Sequence, residues 1–135
     1  MNPDNIQKLF GSFGINEATL HLEEGDFYYL AFPAEKSYLY SPEGSAPPSE
    51  FVAAHPFAPA HPFTPKELHL ALRAENIQEA TVYVDGHEHY YHAYTYNEFS
   101  YGPEGRPPQE FDITGEPGAA PHLAVEMANQ RAVLA

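Results

Sequence analysis

Apolar residues recur along this chain with two periods, and the change of period marks the elements. Ile6, Leu9, Phe10 and Phe13 fall at i, i+3, i+4 and i+7, one face of a helix. Leu68, Ala71 and Leu72 repeat that spacing further on, with Glu75 in the fourth place. Asn2-Pro3 and Thr64-Pro65 each put a capping side chain before a proline at the first helical position. Thr64 followed by Glu67 is a capping box. The helices are predicted to stop at Gly14 and Asn76, residue types that tolerate a left-handed backbone, with Ile15 and Ile77 packing back on Phe10 and Leu72.

A period of two follows in both places. Ala18, Leu20 and Leu22 alternate with Thr19, His21 and Glu23; Ala80, Val82 and Val84 alternate with Thr81, Tyr83 and Asp85. Turns at Glu24-Gly25 and Asp85-Gly86 lead into strands at 27–32 and 89–96. Third, shorter strands are predicted at 37–40 and 98–101, ending at Pro42-Glu43-Gly44 and Pro103-Glu104-Gly105.

The recurrence has a constant offset. Residues 2–32 align without a gap on residues 64–94, with eight identities in 31 positions. Chance gives about two on ordinary residue frequencies. A second block matches Tyr40–Phe51 to Tyr101–Phe111 with one-residue gaps. The chain therefore reads as a first αβββ repeat at 1–52, a linker at 53–63, a second αβββ repeat at 64–113, and a loop with a C-terminal helix at 114–135. The last helix is placed from about Pro121 to Leu134. The linker states one motif twice, Ala54-His-Pro-Phe-Ala-Pro59 and Ala60-His-Pro-Phe-Thr-Pro65, and proline at that density reads as extended chain. The fold class is α+β: tandem-duplicated units related by a pseudo-twofold axis, an antiparallel sheet, and helices on one of its faces.

Hairpin geometry puts Ala18, Leu20 and Leu22 on one face with Phe27, Tyr29 and Ala31, and Ala80, Val82 and Val84 with His89, Tyr91 and Ala93. This small, aliphatic face is assigned to the helices. The opposite face holds Tyr28, Leu30 and Phe32 in the first unit and Tyr83, Tyr90, His92, Tyr94 and Tyr96 in the second. A solvated face should carry Lys, Glu, Thr and Ser. Rings with polar tips instead suit a surface that meets a partner.

Charge narrows the partner. Nineteen acids against six bases give a net charge of −13 over 135 residues, shared between the two halves. Six scattered bases do not suit a phosphate backbone, so direct nucleic-acid binding is not expected. There is no cysteine, which excludes disulfides, thiolate zinc sites and thiol catalysis. No apolar run reaches the roughly 20 residues of a membrane helix, and no basic-then-apolar leader opens the chain, so a soluble cytoplasmic protein is expected.

Candidate chemistry is sparse. His87, His89 and His92 belong to the second unit alone, where the first has Gly25, Phe27 and Leu30. His87 and His89 share a strand face and, with Asp85, Glu88, His55 or His61, would suit zinc or another transition metal, without any recognised ligand spacing. No nucleophile elbow or phosphate loop is present, so no enzyme chemistry is assigned. Glu43 and Glu104 serve turns, and Glu17 and Glu79 open strands. In element order, size and acidity the chain resembles bacterial type III secretion chaperones, which bind unfolded partner segments as dimers. No residue motif carries the likeness, and the Tyr/His strands and His-Pro-Phe linker depart from it. It implies a fold and a partner-binding role only.

The reading is a small acidic protein–protein interaction module, of inhibitor, immunity or chaperone-like type, with no cofactor. Tyr28, Phe32, Tyr83, Tyr90, His92, Tyr94 and Tyr96 form its binding face, and the partner is a basic protein or a second copy of the chain. The alternatives are a metal-binding or metalloenzyme domain using His87 and His89, and a structural subunit of a larger assembly.

Overall fold

A computed structural model describes residues 2–119 as one eight-stranded antiparallel sheet with two α-helices, an α+β fold. Helix α1 is Pro3–Phe13 and helix α2 is Pro65–Ala74. The strands are β1 (Glu17–Leu22), β2 (Gly25–Phe32), β3 (Ser37–Pro42), β4 (Glu50–Val52), β5 (Glu79–Val84), β6 (His87–Ala93), β7 (Glu98–Pro103) and β8 (Gln109–Asp112). Their order in the sheet is β4-β3-β2-β1-β5-β6-β7-β8. At the centre Thr19 faces Thr81, with Ala18 against Val82 and Leu20 against Ala80. The helix placed at 121–134 lies outside the described residues.

The helix ends follow local chemistry. Asn2 accepts from the Asp4 amide at 2.9 Å, and Thr64 and Glu67 close the reciprocal capping box. Gly14 sits at φ 71 and Asn76 at φ 59. The Ile15 amide donates to the Phe10 carbonyl at 3.0 Å, and Ile77 to Leu72 at 2.9 Å, which satisfies carbonyls the helices leave open.

Three strands differ from the pattern. Each half contains a fourth strand, β4 and β8, at the edges of the sheet. These are three and four residues long beside proline-rich turns, too short to show a period. β6 stops at Ala93, not at Tyr96. The Tyr94 and Thr95 amides turn back to the Glu98 carbonyl, so alternation in the sequence outlasts the strand.

The core lies between the sheet and both helices. Ile6, Phe10, Leu68 and Leu72 bury completely, as do Leu20, Tyr29, Ala80, Val82 and Tyr91 on the facing strands. Each large apolar side chain so buried contributes about 1.5–3 kcal/mol. Two polar residues are buried at matching places in the helices. Gln7 donates to the His55 carbonyl at 3.0 Å and accepts from the His55 amide at 3.1 Å, which pins the linker to α1. His69 stacks on Phe99 at 4.0 Å between centroids. Its Nε2 lies 2.7 Å from the Tyr96 carbonyl and its Nδ1 2.6 Å from the Tyr91 hydroxyl. A carbonyl only accepts, so Nε2 carries the proton and the Tyr91 hydroxyl donates to Nδ1.

Tyr29 occupies in β2 the place that Tyr91 occupies in β6, and its buried hydroxyl has no partner. A matched pair of substitutions therefore separates the two. Tyr29→Phe is expected to be neutral or slightly stabilising. Tyr91→Phe leaves the His69 nitrogen unpaired and costs about 1–3 kcal/mol. Urea midpoints of the two variants check this; equal losses would contradict the hydrogen-bond assignment.

Candidate functional site

The strand register sends Tyr28, Tyr90 and His92 away from the helices, together with Thr19, His21, Thr81 and Tyr83. Leu30 and Phe32 extend this face toward β3. Neither helix lies on it, and Tyr83 and Tyr94 are 37% and 47% exposed. Rings run across it: His21 lies 6.3 Å from Tyr90, Tyr90 lies 6.2 Å from His92, and His92 lies 4.9 Å from Tyr94. The Tyr94 hydroxyl donates to Ser100 at 3.3 Å.

Four polar tips on the two central hairpins, those of Tyr28, Tyr90, Tyr83 and His21, meet acids. Tyr28 donates to Glu17, and Tyr90 donates to Glu79 in the same relation one hairpin further on. Tyr83 donates to Glu88 at 2.5 Å across the strand pair. His21 takes the matching position in β1, with Nδ1 2.9 Å from Asp26 and Nε2 3.0 Å from Thr81 of β5. Burial, and then the carboxylate bonds, push the Tyr28 and Tyr90 phenols above their ordinary value. The Glu88 bond does most of the same for Tyr83. The phenols thus stay protonated donors, which leaves the negative charge on the carboxylates.

Charge on this face has one sign. Glu50, Glu98, Glu110 and Asp112 of the outer strands point the same way as Glu17, Asp26, Glu79 and Glu88. No lysine or arginine stands on these strand positions. Aromatic rings among carboxylates attract cations by two routes, Coulombic and through the ring quadrupole.

The remaining candidates separate. Tyr96 is not part of the ring row: its carbonyl accepts from His69 and from Arg73 at 2.7 Å, and its ring lies under the Arg73 guanidinium. Phe32 sits at the end of β2, before the short turn Pro33–Glu35. His87 is exposed at the start of β6. His89 points to the helix side, stacked on Tyr101 at 5.5 Å, and its Nδ1 donates to the His87 carbonyl at 3.2 Å. Among the described residues no three His, Asp or Glu side chains converge to hold a metal ion.

His21 and the carboxylates are the members that sequence reasoning did not assign to the site. For Glu17 and Glu79 the signal was the repeated separation of eleven residues from Tyr28 and from Tyr90. Among the described residues no helix is long and apolar enough to cross a membrane. Compared with known proteins, the chain matches no family model, no curated protein and no solved structure.

Proposed function

We propose that this chain is a small acidic protein–protein interaction module, of inhibitor, immunity or chaperone-like type, that binds a basic partner segment across the open face of its sheet. The observation that carries the reading is the row His21, Tyr90, His92 and Tyr94, framed by Glu17, Asp26, Glu79 and Glu88, with no lysine or arginine on the described strands. Tyrosines already held by carboxylates lose little side-chain freedom on binding, so the surface is organised in advance. The acids hasten encounter with a basic segment, an effect that salt weakens. The same proposal takes the chain as a tandem duplicate. The offset of 62 supports it, and so does a sheet whose two central strands meet at equivalent residues, Thr19 and Thr81.

The test uses a labelled arginine-rich peptide and fluorescence anisotropy. Replacing Tyr83 and Tyr94 together by Ser leaves the net charge at −13, so it separates the face from bulk charge. The double variant should bind about tenfold more weakly, the loss of one strong contact. Raising salt from 50 to 300 mM should slow association of the wild type. Unchanged affinity in a folded double variant would sink the proposal.

A further inference from the structure

The repeated linker motif is used in two different ways. In its first statement the His55 backbone is clamped by Gln7, and Phe57 packs beside Gly11. Its second statement is carried past the end of α1, where Gly14 lets Pro59 and Ala60 run against the helix terminus. There His61 and Phe63 pack on Phe13, with centroids at 6.4 and 5.2 Å. Facing them is the β5–β6 hairpin, and a cavity of about 420 Å³ lies between. That is within the range of roughly 300–1,000 Å³ that holds small molecules.

The lining specifies a chemistry. Phe13 and Phe63 come from the helix and linker, and Tyr83, Tyr101 and His89 come from the strands. Among the described residues Asp85 is the only carboxylate lining it, and neither lysine nor arginine does. Ring faces are electron-rich and favour a weakly hydrated cation over a neutral or anionic guest. A carboxylate at the rim adds the counter-charge. The lining also lacks a counterpart in the other half, where Phe13, Tyr83 and His89 are matched by Glu75, His21 and Phe27. The repeat alone therefore does not generate it.

We infer that this cavity is a binding site for a small quaternary ammonium ion of choline size. Its methylated head sits against Phe13, Phe63 and Tyr101, and Asp85 supplies the opposite charge. The cavity lies on the helix side of the sheet and shares Tyr83 with the open face, so its tests use Phe63 and Asp85, which that face does not contain.

Calorimetric titration with choline, and with its neutral isostere 3,3-dimethylbutan-1-ol, tests it. Choline should bind one-to-one, and the isostere about tenfold more weakly, the margin of a desolvated cation–ring contact. Phe63→Leu should weaken choline by a similar factor. Asp85→Asn is the cleaner variant, because asparagine tolerates the φ of 52 found there and only the charge is removed. It should weaken choline and leave the isostere unchanged. No binding of choline, equal affinity for the isostere, or an Asp85→Asn protein that binds choline as before would each overturn the assignment. A peptide bearing trimethyllysine should bind no more tightly than choline; tighter binding would make the site a reader of protein side chains and overturn the small-molecule assignment.

Discussion

Gly14→Ala is expected to remove about 3–5 kcal/mol of folding stability and to lower the melting temperature by roughly 10 °C or more. Two effects combine. Alanine disfavours the φ of 71, at about 1–2 kcal/mol. The added Cβ would also lie 2.4 Å from the Ala60 Cα, 2.6 Å from its amide nitrogen and 2.6 Å from the Pro59 carbonyl. These are backbone atoms, so relief requires moving the linker off α1, and the Ala58–Gly11 hydrogen bond of 2.8 Å would go with it. Gly14→Asn separates the two causes. Asparagine accepts a left-handed backbone but keeps the Cβ, so most of the loss should remain. Near-complete recovery in Gly14→Asn would refute the contact argument. Asn76→Ala, at the matching end of α2, should cost only about 1 kcal/mol.

His69→Leu is expected to cost about 2–4 kcal/mol, measured by urea denaturation. It strips the buried Tyr91 hydroxyl of its partner and the Tyr96 carbonyl of one donor, though Arg73 still reaches that carbonyl. The imidazole also makes stability depend on pH. Burial, with help from the Arg73 charge, lowers its pKa below 6.5, against the opposing bond to Tyr96. The unfolded chain takes up this proton near pH 6.5 while the folded chain resists it. Stability is therefore full above that value and falls as pH drops below it, levelling only under the folded pKa. His69→Gln keeps a donor and an acceptor, as Gln7 does in α1, and should flatten the slope between pH 7 and 5. An unchanged slope would reject His69 as its source. The tyrosines act at the other end: burial raises Tyr101 and Tyr40 to about 12. Stability should therefore fall as pH climbs above 10.

Much of the frame was legible because it is local. Asn2, Thr64, Glu67, Gly14 and Asn76 act within a turn of their own positions. The alternation at Ala18–Leu22 and Ala80–Val84 fixed the two faces, since a strand has no third choice. What escaped depends on partners distant in sequence. Tyr96 continues the pattern of Tyr90, His92 and Tyr94, but β7 and His69 take its backbone elsewhere. Gln7 and His69 carry no signal in the sequence, because His55 and Tyr91, their partners, are brought beside them only by the fold. Glu17 and Glu79 read only as the first residues of strands until the hairpins set Tyr28 and Tyr90 against them.

The seam between β1 and β5 has a kinetic consequence. Among the described residues every other strand pair joins consecutive strands, and only this ladder spans some sixty residues. Contact order, low elsewhere for a sheet of eight strands, is concentrated in one step. The loop-closure entropy of sheet assembly then falls largely on zipping Thr19 against Thr81. Chain cleaved within the 53–63 linker would give two pieces whose one shared ladder is that seam. Their rate of reassociation would report it directly.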